Sequence, residues 1–195
     1  SGWGDLAALE EARWLDCQPE FETSHYINGF AHADGKFRFQ PDWRSMSPSG
    51  FAPEDFYTAV PVFPDYWPVT EEATDEMPYR LVTAPARHYL NSTFTETPTS
   101  KRRESRPSLM MHPDDAKSLR IEDGARVRIG NSRGDLLIHA EWFEGVQPGV
   151  VIVESIWPNS AFEEGIGINV LTSASPIGPV GGAAFHDNRI WIRPA

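Results

Sequence analysis

Between residues 83 and 94 the chain gathers Thr83, Arg87, His88, Asn91, Ser92 and Thr93 in one polar stretch. Hydroxyls, amides, an imidazole and a guanidinium are hydrogen-bonding groups suited to gripping an anionic, oxygen-rich ligand rather than to making or breaking bonds. Pro85 fixes its own φ and favours pre-organised N–H groups after it. The same composition also describes a polar surface loop whose Asn-Ser-Thr forms a turn or a helix cap. The residues alone leave both readings open.

Little else in the chain offers acid, base or metal chemistry. Histidines stand at 25, 32, 88, 112, 139 and 186, and none forms a pair at metal-ligand spacing. Cys17 is the only cysteine, which excludes an internal disulfide and a Cys-rich cluster within this chain. Asp114-Asp115 and Glu163-Glu164 read as helix-start and loop acids. His139 and Trp142 lie on an expected strand and read as packing or solvent-facing residues. The one basic run, Lys101-Arg102-Arg103-Glu104-Ser105-Arg106, reads as a solvated loop that could attract phosphates or dock a domain. No Ser-His-Asp or Cys-His arrangement has support in the spacing.

The elements that must position these residues are mostly short strands. Seventeen prolines and fifteen glycines point to many turns. Residues 3–17 carry apolar side chains at 6, 9, 14 and 15 and predict a short amphipathic helix. Residues 19–76 are rich in Pro, Phe, Trp and Tyr and lack long periodic runs. Within them Asp34-Gly35 predicts a tight turn, and residues 36–39 alternate as a strand would. The acidic stretch 70–78 reads as a boundary. Strands are then expected at 79–83, 108–112, 125–130, 135–143, 150–156 and 188–193, with a long loop over 84–107. A one- or two-turn helix is expected over 113–119, where Pro113 suits the first helical position and Asp114-Asp115 the positive end. The expected architecture is a closed or nearly closed β structure with little helix.

Bulk composition narrows the class. A chain of 195 residues, 40% of them hydrophobic, can build a real core. A net charge of -11 argues against nucleic acid as the main partner, since neutralising phosphates needs clustered cations. No stretch reaches the length of a membrane span. No signal segment opens the chain, which favours a cytoplasmic protein. The helix-like start reads as the interior of something longer.

From residue 112 to 136 the sequence HPDDAKSLRIEDGARVRIGNSRGDL resembles the signature of the molybdopterin-dinucleotide-binding domain of the dimethyl-sulfoxide-reductase superfamily. Other blocks follow in the family's order. Upstream stand Leu81-Val82-Thr83-Ala84-Pro85 and Leu90-Asn91-Ser92-Thr93-Phe94. Downstream stand Val146-Gln147-Pro148-Gly149-Val150-Val151 and Asn169-Val170-Leu171-Thr172. Each block alone is common; their order and spacing carry the resemblance, which covers residues 79–195. The stretch around Asp34-Gly35-Lys36 resembles, more loosely, a segment preceding this domain in family members.

The resemblance implies a mainly β chain: a double-psi β-barrel, aspartate-decarboxylase-like, over residues 79–195 with a few short helices. Residues 1–78 are then an irregular N-terminal segment, part of a larger domain. The implied ligand is molybdopterin guanine dinucleotide, in the full enzyme a bis form carrying Mo or W. The implied cofactor-binding residues are Thr83, Pro85, Arg87, His88, Asn91, Ser92, Trp157, Asn169 and Thr172. The implied partners are the remaining domains of the same polypeptide, and the chain is expected to be inert alone. Another class fits the same barrel: a non-enzymatic module binding a protein partner or substrate, since fold does not dictate function. A self-processing decarboxylase would need a Gly-Ser cleavage site, and Ser49-Gly50 has the reverse order and lies outside the barrel.

Overall fold

Alternating apolar residues put one face of each strand inward. In β3 (Arg126–Gly130) Val127 and Ile129 are buried while Arg126 and Arg128 point outward, as the period of two dictates. The same pattern runs through β1 (Tyr79–Ala84), β2 (Ser108–Met111) and β5 (Val150–Glu154), which bury Tyr79 and Leu81, Leu109 and Met111, and Val151 and Val153. In the computed structural model the described residues are 5–40, 61–63, 65, 71–154, 157–174, 176–177, 182–183 and 185–195.

Six strands close into a double-psi barrel in the order β1-β5-β2-β4-β3-β8, with β4 spanning Asp135–Trp142 and β8 Asn188–Pro194. Two pairings are parallel: Leu81 lies beside Val151 in β1 and β5, and Leu109 beside Ala140 in β2 and β4. The rest are antiparallel, including the β3–β4 hairpin and the β1–β8 seam that pairs Leu81 with Asn188. Parallel partners cannot be joined by tight hairpins, so the chain crosses the barrel ends between them. Those crossings bring loops distant in sequence together. A small hairpin of β6 (Pro176–Ile177) and β7 (Gly182–Ala183) stands apart from the barrel sheet.

The core is filled by Leu81, Leu109, Met111, Ile129, Leu136, Val151, Val153, Leu171 and Ile190, all essentially without solvent contact. In β4 the residues Leu136, Leu137 and Ile138 are all buried, so both faces of that strand are covered. A 3-10 turn, Ile168–Leu171, packs on β4 and inserts Ile168 and Leu171 into the core. Asn188 is the polar exception at a core-facing position.

The strands expected from residue 79 onward are present among the described residues, and so is the helix expected over 113–119. The helix α4 (Pro113–Ser118) has Pro113 in its first turn, Asp114 and Asp115 at its start, and His112 Nδ1 accepting from the Asp114 N–H at 3.1 Å. Asp115 also accepts from the Gly149 N–H at 2.7 Å, which ties the helix start to the turn before β5. One expectation fails inside the stretch read as loop: residues 98–104 form the helix α3 (Pro98–Glu104). Pro98 starts it, and Lys101, Arg102 and Arg103 fall in its last turn, where cations meet the negative end of the helix dipole. Residues 101–104 of the basic run are therefore helical rather than loop, since proline at the start and cations in the last turn favour a helix that has no apolar stripe to announce it.

The chain divides into two compact units: residues 1–42 with 62–65, and residues 43–61 with 66–195. In the smaller unit, α1 (Leu6–Ala12) is shorter than the expected 3–17 among the described residues. Asp5 caps its start through the Ala8 N–H at 2.9 Å, and Arg13, at φ 68°, ends it. After α2 (Phe21–Ser24) the chain makes the expected turn at Asp34-Gly35, with the Phe30 N–H donating to the Gly35 carbonyl at 2.8 Å. Residues 36–39 do not form the expected strand. Asp34 takes both the Lys36 N–H and the Arg38 guanidinium, and Phe37 packs edge-on between Phe30 and Phe39. Local side-chain bonds win where no partner strand among the described residues offers a ladder. Of the aromatic residues at 51–67, Phe63 is exposed; Phe51, Phe56, Tyr57, Tyr66 and Trp67 lie outside the described residues.

Candidate functional site

The loop after β1 is organised by its own backbone. Leu90 and Thr93 exchange both of their N–H···O bonds, at 3.1 and 2.8 Å, so Asn91 and Ser92 form the tip of a tight turn. Asn91 has φ 51° and Phe94 has φ 69°. A left-handed asparagine is common, but a left-handed phenylalanine costs of order 1–3 kcal/mol and persists only where its surroundings impose it. The Thr95 hydroxyl donates to the Ser92 carbonyl at 2.9 Å, and the His88 N–H donates to Glu104 of α3 at 2.6 Å. The loop is thus braced at both ends. Its side chains are not consumed in that bracing: among the described residues Arg87, Asn91 and Ser92 are exposed and their side chains enter no hydrogen bond or ion pair.

Trp157 faces this loop. Its ring meets Tyr89 edge to face at 5.0 Å between centroids, and its indole N–H donates to the Glu154 carbonyl at 3.0 Å. Tyr89, Thr95, Glu96, Lys101, Arg106, Trp157 and neighbouring residues line a cleft of about 280 Å³. The polar atom of Trp157 is therefore occupied within the protein, and its ring serves as a wall. Neither Asn91 nor Asn169 lines that cleft. Burial, and then Glu104 and Glu141, hold the Glu154 carboxyl above its ordinary value, so this side of the barrel end is crowded with acids.

Asn169 and Thr172 belong to the Ile168–Leu171 turn and its exit. The Thr172 hydroxyl and N–H both donate to the Asn169 carbonyl, at 3.0 and 3.2 Å, while the Asn169 side chain is exposed and enters no hydrogen bond among the described residues. Thr83, near the end of β1, donates to the Phe185 carbonyl at 3.3 Å and lies 3.1 Å from His186 Nδ1. Pro85 is exposed and His88 half-buried. Thr83 is linked toward the Ile168–Leu171 turn by a chain of hydrogen bonds, and no such bond leaves the Asn91 side chain among the described residues. Phe185 also accepts from Asn188 Nδ2 at 3.0 Å, and Asn188 Oδ1 lies 3.4 Å from Arg133, which holds the Leu171 carbonyl.

Sequence reasoning missed Arg133 and Asn188. Arg133 sits in the Asn-Ser-Arg-Gly turn that carries the resemblance, and that was its only available signal. Asn188 opens an otherwise apolar alternation in β8, a visible anomaly at a core-facing position. The paired acids at 163 and 164, read as loop acids, pair with neighbouring basic side chains. Glu163 bonds Arg126 at 2.9 Å and His139 at 3.0 Å, and Glu164 bonds Arg128 at 2.6 Å. Among the described residues no group of His, Cys, Asp and Glu could hold a metal ion. No helix among them is long and apolar enough to cross a membrane.

The closed six-stranded barrel, with few short helices, puts the chain in the class of double-psi barrel domains. The chain belongs to the molydopterin dinucleotide binding domain family, which it matches over residues 79–189. It is similar to the probable oxidoreductase YoaE of Bacillus subtilis, with 35% identity over 132 residues, 68% of this chain and 19% of that protein. It is also similar to the dimethyl sulfoxide reductase DmsA of Escherichia coli, with 27% identity over 143 residues, 71% of this chain and 17% of that protein. The chain thus spans less than a fifth of the length of these relatives. The fold is shared with acetylene hydratase from Pelobacter acetylenicus at a TM-score of 0.63 and 14% identity, over 86% of this chain and 24% of that one.

Proposed function

We propose that this chain binds molybdopterin guanine dinucleotide as the C-terminal part of a molybdenum or tungsten oxidoreductase, and that it catalyses nothing alone. The observation that carries the reading is the division of labour in residues 83–94 and 168–172. Their backbones are tied by internal bonds, while Arg87, Asn91, Ser92 and Asn169 present side chains with no protein partner among the described residues. That donor set fits the group: a pyrophosphate takes a guanidinium and hydroxyls, and ring edges take amides.

Within this reading Arg87 and Ser92 meet phosphate oxygens, with His88 and Thr83 beside them. Asn91 and Asn169 address ring or sugar atoms, Thr172 supports Asn169, and Pro85 limits the loop's freedom. Trp157 forms an apolar wall. When bound, the cofactor supplies two-electron oxo or hydride transfer at its metal, and the protein supplies grip and orientation. The chain carries a net charge of -11, so attraction for an anion must be local. Screening within about 8–10 Å lets Arg87 act despite distant acids. Other domains of a longer polypeptide complete the enclosure.

The test is a calorimetric titration of the 195-residue chain with guanosine diphosphate, the cofactor's nucleotide half, against adenosine diphosphate. Saturable, salt-weakened uptake favouring guanosine is expected. Absence of saturable heat with either nucleotide overturns the proposal.

A further inference from the structure

We infer that Arg133 is a positioning residue that holds the Asn169–Thr172 end of the site in register with the Thr83 end of β1. What that register serves rests on the cofactor reading above; the geometry does not. The turn carrying Arg133 is stiff in its own right. The Asn131 N–H donates to the Gly134 carbonyl at 2.9 Å, and the Arg133 N–H donates to Asn131 Oδ1 at 2.9 Å. From there the guanidinium reaches three separate parts of the fold. Nε and Nη2 donate to the Leu171 carbonyl at 3.0 and 2.7 Å. Nη1 and Nη2 donate to the two Glu71 oxygens at 2.6 and 3.0 Å. Nη2 also lies 3.4 Å from Asn188 Oδ1.

Each of these partners leads to a piece of the candidate site. Leu171 is fully buried and immediately precedes Thr172, so fixing its carbonyl fixes the exit of the turn that carries Asn169. Asn131 Nδ2 donates to that same carbonyl at 2.9 Å. Asn188, 2% exposed, passes the constraint to the Phe185 carbonyl, which also accepts from Thr83. Glu71 accepts the Arg189 N–H at 3.1 Å and so closes the circuit onto β8. A continuous path therefore runs from Thr83 through Phe185, Asn188 and Arg133 to Leu171. The planar guanidinium makes two bonds to the carbonyl and two to the carboxylate at once; a lysine ammonium has three donors on a single atom and cannot reproduce that array. The contact has little slack, because a Cβ on Gly134 would lie 2.6 Å from Val170 Cγ2.

A purely stabilising arginine would loosen the whole barrel when removed, whereas a positioning one loosens only the segments it joins. The experiment follows amide hydrogen exchange in the unliganded chain and guanosine diphosphate affinity by calorimetry, for the parent, Arg133→Met and Arg133→Lys. Arg133→Met should speed exchange at Val170, Thr172 and Asn188 by about tenfold or more and leave the β3–β4 amides unchanged. Arg133→Lys should keep the charge opposite Glu71 yet leave that local acceleration, and both variants should weaken nucleotide binding about tenfold. Uniform acceleration across the barrel, or none at Val170 and Thr172, overturns the inference. Local acceleration with unchanged nucleotide affinity overturns the role toward the ligand. If the parent chain takes up no nucleotide, the cofactor reading falls alone, and the exchange pattern still decides whether Arg133 sets the register.

Discussion

Arg133 donates to the Leu171 carbonyl through Nε and Nη2 at 3.0 and 2.7 Å, across 38 residues of sequence. That relationship turns the β3–β4 hairpin into a support for the Ile168–Leu171 turn. It also puts the Glu71 carboxylate to structural use, since Glu71 neutralises the same guanidinium.

The Glu71 pair gives a pH prediction. Burial alone would raise the Glu71 carboxyl, but hydrogen bonds from Arg133 and the Arg189 N–H outweigh it and hold it below its ordinary 4.5. A folded value below the unfolded one contributes stability that is present above pH 4.5 and lost as pH falls through the folded value. Glu154 is shifted the other way, so its contribution is present below its unfolded value and lost as pH rises through the folded one. The difference between the parent and Glu71→Gln isolates the first effect. Urea denaturation at several pH values should show Glu71→Gln costing about 1–3 kcal/mol near neutrality and progressively less in acid. A cost independent of pH would refute this.

Close packing between the hairpin and the turn gives a second prediction. Gly134→Ala places a methyl 2.6 Å from Val170 Cγ2 and should cost about 1–3 kcal/mol. Val170→Ala in the same chain removes the clashing atom, so the double variant should recover part of the loss. Additive losses in a denaturation cycle would show that the two residues do not meet.

Most of the barrel was legible in the sequence because its strands obey a period of two and end at strong turn residues. Val127 and Ile129 against Arg126 and Arg128, and the turns at Asp123-Gly124 and Pro148-Gly149, need no tertiary information. Residues 36–39 alternate just as well, yet form no strand, because pairing depends on a partner that local pattern cannot supply. The helix at 98–104 escaped notice for the opposite reason: it buries no residue and so has no apolar stripe to read. Of the candidate site, the polar loop could be read from residue types. Its supports could not. Asn188, Arg133 and Glu71 meet across 117 residues, and nothing in their spacing marks them as neighbours.

The core gives a third prediction. Leu109 is wholly buried between β4 and β5, so Leu109→Ala should cost about 2–5 kcal/mol through lost transfer energy and the cavity left behind. Chemical denaturation checks it; a loss under about 1 kcal/mol would mean that the barrel collapses to fill the space.

Catalytic silence is the fourth prediction. In the proposed reading the cofactor and the other domains supply the chemistry, and this chain supplies grip and orientation. The purified chain should therefore turn over no sulfoxide, N-oxide or formate above a metal-free blank. Reproducible turnover would overturn the division of labour in which the cofactor and other domains supply the chemistry.

The last prediction separates binding from folding at the site itself. Arg87 and Asn169 are both exposed, and neither side chain has a hydrogen-bond partner among the described residues, so the folded chain loses little when either is changed. Surface substitutions of this kind shift stability by about 0.5 kcal/mol or less. Their cost should appear only with ligand. Arg87→Ala removes a charge-assisted bond and should weaken guanosine diphosphate binding by about 1.5–3 kcal/mol, less at high salt because the contact is screened. Asn169→Leu leaves ring donors or acceptors unpaired, at about 1–3 kcal/mol, and this loss should be insensitive to salt because no net charge changes. The two salt dependences must therefore diverge. Calorimetric titrations at low and high salt, beside melting curves of the unliganded variants, decide the matter. Equal salt dependence would mean that Arg87 does not meet the phosphates, and a matching drop in unliganded stability would make either residue part of the scaffold.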